Sequence, residues 1–132
     1  MGDGSTVVLY HGTDVESALN ILNHGLSEQE LEFWQTGRRL QSGSGWYTTD
    51  STIAAHYFGV IAPGNRGRGN TIITMEIFLE HLEMLIEQRL CKKETIRNVF
   101  FEADQYWFDR TTLSFLNENA LFAPYFLKDE DL

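Results

Sequence analysis

Thr6-Val7-Val8-Leu9-Tyr10-His11-Gly12-Thr13 is the stretch from which the rest of the chain is read. Its first five residues are β-branched, aliphatic or aromatic, and the run is short. That pattern predicts a buried strand over Thr6–Tyr10, closed by His11-Gly12. Thr13 and Glu16 stand three apart, in the spacing of a capping box. Val15, Ala18, Leu19 and Leu22 follow at i, i+3, i+4 and i+7, the apolar stripe of a helix. Gly25 falls where such a helix ends in a left-handed residue. The result is a strand, a tight turn carrying His-Gly-Thr, and a helix.

Outward from this unit, Ser27–Gly45 reads as loop, with Glu28, Glu30 and Glu32 on a solvated face and Gly37-Arg38-Arg39 and Ser42-Gly43-Ser44-Gly45 as flexible sequence. Trp46-Tyr47-Thr48-Thr49 has strand chemistry. Thr49 or Asp50 then caps a helix carrying Ile53, Ala54, Tyr57 and Phe58 on one side and ending at Gly59. Pro63–Asn70 is a loop, Thr71–Leu79 the strongest strand, and residues 80–90 a helix built on Leu82, Leu85, Ile86 and Leu90. Val99-Phe100-Phe101 predicts a further strand, Tyr106-Trp107-Phe108 is apolar, and Pro124 separates two short strands, Asn119–Phe122 and Tyr125–Leu127. The tail from Asp129 to Leu132 is solvated. Early helices followed mainly by strands predict an α+β domain, not a doubly wound parallel sheet.

The chain has 132 residues, enough for one domain spanning 1–132. With 42% apolar residues and only two prolines it can bury a core, which excludes wholesale disorder. Ten basic against nineteen acidic residues give a net charge of −9, which disfavours a nucleic-acid partner because it repels phosphate. One cysteine, Cys91, excludes an intramolecular disulfide or a cysteine-based zinc cluster; it reads as a packing residue near the end of a helix. No run approaches the ~20 apolar residues of a membrane helix, and the first ten residues do not form a signal peptide. The expectation is a soluble, cytoplasmic protein, open to delivery into another cell.

The phosphate-loop motifs fail on context. Gly43-x-Gly45 lacks a preceding strand and a following helix, and Gly64-x-x-Gly67-x-Gly69 has the spacing reversed. His11, His24, His56 and His81 are scattered without metal-ligand spacing, so no metal is expected. More informative are Tyr10-His11-Gly12-Thr13, Gly45-x-Tyr47-x-Thr49 and Ala55-His56-Tyr57. A strand-end His-Gly-Thr offers an imidazole, backbone polar groups and a hydroxyl at one spot. Two tyrosines can sandwich a flat heteroaromatic ring.

These blocks, with Leu116-Asn117-Glu118-Asn119-Ala120-Leu121-Phe122 and Pro124-Tyr125-Phe126-Leu127 after them, resemble the ADP-ribosyltransferase superfamily. The branch is the histidine–tyrosine–glutamate one shared by diphtheria-toxin-like and poly(ADP-ribose) polymerase-like enzymes. The resemblance spans residues 9–127. It implies two small, mainly antiparallel sheets with short flanking helices, forming a cleft for NAD as co-substrate. His11 would bond the adenosine-side ribose, Gly12 would pair through its backbone with the nicotinamide carboxamide, and Thr13 would complete this block. Tyr47 and Tyr57 would stack on the nicotinamide ring. Glu118 would hold the 2′-hydroxyl of the nicotinamide ribose and stabilise the cationic sugar, with Glu102 and Asp104 as rival acids. Ala54 stands near the place of a family serine.

The activity implied is mono-ADP-ribosyl transfer, by a toxin, effector or small-molecule-modifying enzyme, to an unidentified protein or small-molecule acceptor, with release of nicotinamide. An NAD glycohydrolase of the same fold, or an inactive module that binds ADP-ribose or a protein, is the alternative. Gln35–Gly45 and residues 98–117 are the expected acceptor contacts. Arg66 and Arg68 read as loop solvation, with contact to the NAD pyrophosphate or an acidic target as the alternative.

Overall fold

The computed structural model describes residues 4–28, 45–61, 71–97, 99 and 101–126, with the backbone alone at 58–61. The loop readings for 29–44 and 62–70, and the tail, lie outside the described residues.

The chain forms strand β1 (Thr6–Thr13), helix α1 (Val15–His24), β2 (Trp46–Thr49), α2 (Thr52–Ile61), β3 (Thr71–Phe78), α3 (Leu79–Glu87), β4 (Cys91–Arg97), β5 (Glu102–Phe108), a 3-10 turn (Arg110–Thr112), α4 (Leu113–Asn119) and β6 (Leu121–Tyr125). It is an α+β protein with one six-stranded sheet in the order β4-β5-β2-β1-β3-β6. Every neighbouring pair is antiparallel. Two separate sheets are not what forms. One rung, Tyr10↔Thr49, joins the halves β4-β5-β2 and β1-β3-β6. Elsewhere the ladders are longer: β1 and β3 run from Thr6↔Phe78 to Thr13↔Thr71, and β2 and β5 from Trp46↔Phe108 to Thr49↔Gln105.

Alternation along each strand sorts the side chains. Leu9, Ile73, Met75, Ile77, Trp46 and Phe108 point into the main core, where Ala18 and Ile21 of α1, Leu82 and Leu85 of α3 and Leu113 and Leu116 of α4 meet them. α2 packs on β1, β2 and β3. Its buried Ala54 and Ala55, like Ile72 of β3, lie outside that cluster. They cover the opposite face, which Gly12 and its partner Ile72 share.

Several local expectations change. Asp14, not Thr13, caps α1: its carboxylate accepts from Ser17 N at 2.8 Å. Thr13 belongs to β1. The buried stripe of α1 is Ala18 and Ile21, while Val15 and Leu19 are exposed. Gly25 leaves the helix at φ +83° and ψ 179°, so its φ is positive but its ψ is extended, a region open essentially to glycine alone. Ser51, not Thr49 or Asp50, caps α2, its hydroxyl accepting from Ala54 N at 3.1 Å. α2 continues through Gly59 to Ile61, and its Ile53 is exposed.

Cys91 opens strand β4 and does not end a helix. Val99 lies in a bend and is 90% exposed, so no strand forms there, and Phe100 is outside the described residues. The C-terminal segment is α4 followed by one strand, with Pro124 inside it registered to Ile73. Proline fits because β6 is an edge strand, where a missing N–H removes no ladder bond on the solvent side. Among the described residues no helix is long and apolar enough to cross a membrane.

Candidate functional site

β1 and β2 part just beyond Tyr10↔Thr49, and His11 and Gly12 follow on the β1 side of that opening, with Tyr47 on the β2 side. His11 is the next residue on β1, 4% exposed, with its ring 4.7 Å from that of Trp46. Its Nδ1 lies 2.7 Å from the Tyr47 carbonyl oxygen. A carbonyl only accepts, so Nδ1 carries the proton and donates. Burial lowers the His11 pKa from 6.5 to about 4, against the smaller upward pulls of the Tyr47 carbonyl and the Asp14 charge. At neutral pH the imidazole is therefore uncharged, and its Nε2 presents a lone pair as an acceptor. The same bond spans the gap where the backbones separate, with the ring on the face of the sheet that carries Leu9 and Trp46.

Gly12, buried and registered with Ile72, adds no side chain to its side of the opening. Across it, Tyr47 is registered with Trp107 and is 8% exposed. Lys92 of β4 continues that row, its Nζ 5.4 Å from the centre of the Trp107 ring. Gly45, just before β2, is glycine for a steric reason. A Cβ there would collide with the Trp107 indole and stand 2.7 Å from the Phe108 carbonyl oxygen. Thr13, 8% exposed, ends β1 beside Thr71.

Tyr57 stands three residues after the buried Ala54 and so shares the sheet-facing side of α2. Its partly buried ring meets Phe101 edge-on at 5.5 Å.

Glu118 is not brought to this opening. It is exposed on α4. Leu121, three residues later, registers with Glu76, which registers with Val8. Val8 is three strand residues, about 10 Å, from His11 on the side away from Gly12. The neighbouring Asn117 is fixed at that end: its Oδ1 accepts from Leu26 N at 2.8 Å and its Nδ2 donates to Leu26 O at 3.0 Å, just past the C-terminus of α1.

The rival acids are engaged elsewhere. Glu102 pairs with Arg97 at 3.0 Å, which holds its carboxyl below the ordinary range, mainly through the hydrogen bond. Asp104 accepts from Thr95 Oγ1 at 3.0 Å and lies 3.6 Å from Lys93 Nζ.

Two residues that sequence reasoning passed over belong to the region. Trp46 packs its ring against His11, and its buried Nε1 has no hydrogen-bond partner among the described residues. Gln105 is 6% exposed and its Nε2 also lacks a partner among them. A polar residue amid Ala103, Tyr106, Trp107 and Phe108 was the available signal for it, once the strand is extended back to Glu102. Comparison with known proteins finds no matching family model, no matching curated protein and no matching solved structure.

Proposed function

We propose that this domain binds NAD at the opening between β1 and β2 and breaks the bond between nicotinamide and ribose, passing ADP-ribose to a protein or small-molecule acceptor. The observation that carries the reading is the neutral His11 imidazole, held by the Tyr47 carbonyl at the point where the strands part. An uncharged ring with Nε2 as acceptor suits a ribose hydroxyl, which donates. In this reading the Gly12 backbone receives the carboxamide, and Tyr47 and Tyr57 take the flat nicotinamide ring. The resemblance of the His-Gly-Thr and Gly-x-Tyr blocks to ADP-ribosyltransferases points the same way.

In the reaction the C1′–N bond breaks and its electron pair leaves with nicotinamide, which departs neutral. The ribose becomes oxocarbenium-like, and an acceptor oxygen or nitrogen then bonds C1′ and loses its proton. Catalysis requires groups that bind this cation better than the ground state.

A second reading, NAD or ADP-ribose binding without turnover, is favoured by one observation: Glu118 lies toward the other end of β1. Calorimetric titration with NAD, paired with chromatographic measurement of nicotinamide release and label transfer, separates the two. Transfer predicts binding, release and a labelled acceptor; holding predicts binding alone. His11→Ala is expected to weaken NAD binding at least about tenfold, the loss of one well-made hydrogen bond worth about 1.4 kcal/mol. Absence of NAD binding by the wild-type protein refutes both readings.

A further inference from the structure

The orphaned amide of Gln105 has a particular place in the sheet. Gln105 registers with Thr49 across the β2–β5 ladder, and Thr49 registers with Tyr10 across the single β1–β2 rung. Paired residues in antiparallel strands share a face, so Tyr10, Thr49 and Gln105 form one row across three strands. This is the row that crosses the single β1–β2 rung, beyond which the halves separate. The next residues on the same face are Gly12 on one side and Tyr47 and Trp107 on the other.

Gln105 is 94% buried by its 6% exposure, and its Nε2 has no hydrogen-bond partner among the described residues. Its neighbours on that face of β5 are Ala103 and Trp107, which offer no side-chain acceptor. Thr49 Oγ1 donates its own proton to the Asp104 carbonyl at 2.9 Å. A buried donor left unmade is costly, and an apolar chain of similar size removes that cost. The sheet therefore keeps a polar group here against its own stability.

We propose that Gln105 is a ligand-binding residue whose Nε2 donates to an acceptor oxygen, a hydroxyl or carboxamide oxygen of the ribose–nicotinamide part of NAD. The assignment rests on the NAD reading above and adds to it a donor from β5, on the face of Tyr47 and Gly12 and not on that of the His11 ring. The carboxamide is neutral at every accessible pH, so its contribution does not titrate.

The test uses the full chain and two variants, Gln105→Met and Gln105→Leu, both close in volume to glutamine and both lacking a donor at any pH. Calorimetry gives the Kd for NAD, and thermal unfolding without ligand gives Tm. The expected result is a Kd raised about tenfold or more in both variants, with the unliganded Tm of Gln105→Met equal to or above wild type. A structural glutamine does the reverse: Tm falls in Gln105→Met and the Kd of both variants stays at the wild-type value, which overturns the proposal. If Gln105→Met does not fold, the Kd of Gln105→Leu decides alone. Wild-type protein that fails to bind NAD overturns the functional reading and this assignment with it. Wild-type binding matched by both variants overturns this assignment only.

Discussion

Acidification should destabilise this protein through His11 in a way that one substitution removes. The imidazole titrates at 6.5 when exposed and at about 4 in the fold, because burial penalises the charged ring more than the Tyr47 carbonyl and Asp14 favour it. Between those values the unfolded chain binds a proton that the folded chain refuses, so stability falls as pH drops from about 6.5 to about 4 and levels off below. The two titration points differ by a few hundredfold in proton affinity. At 1.36 kcal/mol per factor of ten the loss is about 3 kcal/mol. Urea unfolding at intervals from pH 7.5 to 3.5, on wild type and His11→Gln, isolates it. Carboxylates contribute equally to both proteins, and a glutamine cannot titrate, so the difference between the two stability curves carries the histidine alone. The gap should change by about 3 kcal/mol over the interval, with half lost near pH 5. Curves that stay parallel from pH 7.5 to 3.5 refute the buried, neutral imidazole, and with it the acceptor role given to Nε2.

Glu118→Ala should leave NAD affinity and stability unchanged, as measured by calorimetry and urea unfolding, because the side chain is exposed and lies away from the opening. Asn117→Ala should cost about 1–3 kcal/mol of unfolding free energy, since both its hydrogen bonds hold the backbone of Leu26, while NAD affinity stays as it is. Gly45→Ala should destabilise by roughly 1–3 kcal/mol or more, read as a fall in Tm, because the Phe108 carbonyl and the buried Trp107 leave no room for a methyl group. Cys91 is 1% exposed and burial pushes its thiol up to about 12, so a chromogenic disulfide reagent at pH 8 should label it only after denaturant is added. Rapid labelling of the native protein would contradict that packing.

Local chemistry made three strands legible. Thr6–Tyr10, Trp46–Thr49 and Thr71–Leu79 are rich in β-branched and aromatic residues, and a strand forms at each, β1 running on to Thr13 and β3 ending at Phe78. β4 escaped because its seven residues include Lys92, Lys93, Glu94 and Arg97. Those charges are compatible with a strand only because it lies at the sheet edge, where they also discourage pairing with another chain. The edge position is a property of the assembled sheet and is not written in the segment. Pro124 misled for the same reason: it stops a central strand and is tolerated in β6, which nothing local identifies as an edge. The caps failed more narrowly. Thr13 and Thr49 have capping chemistry, but each ends a strand; Asp14 then caps α1, while the Asp50 carboxylate accepts from Asp104 N of β5 and leaves the cap of α2 to Ser51.

The site divides along the same line. His11, Gly12 and Tyr47 were readable because each sits within a residue or two of a strand end, and the β1–β2 rung brings those ends together. Glu118 was assigned by its place before a strand, yet what matters is which row of the sheet that strand enters. Leu121 enters opposite Glu76, on the row of Val8, at the end of β1 away from His11. Had β6 been registered with β3 so that Leu121 faced Ile73 instead of Glu76, the same sequence would bring the acid toward His11. A three-residue difference in register, about 10 Å, is enough to decide whether a carboxylate reaches the ribose. Register depends on the hydrophobic pairing of whole strands, Phe122 with Met75 foremost, and not on the motif itself. For that reason Gln105, which no motif singled out, shares the row of the β1–β2 rung through its pairing with Thr49, and Glu118, which a motif did single out, does not.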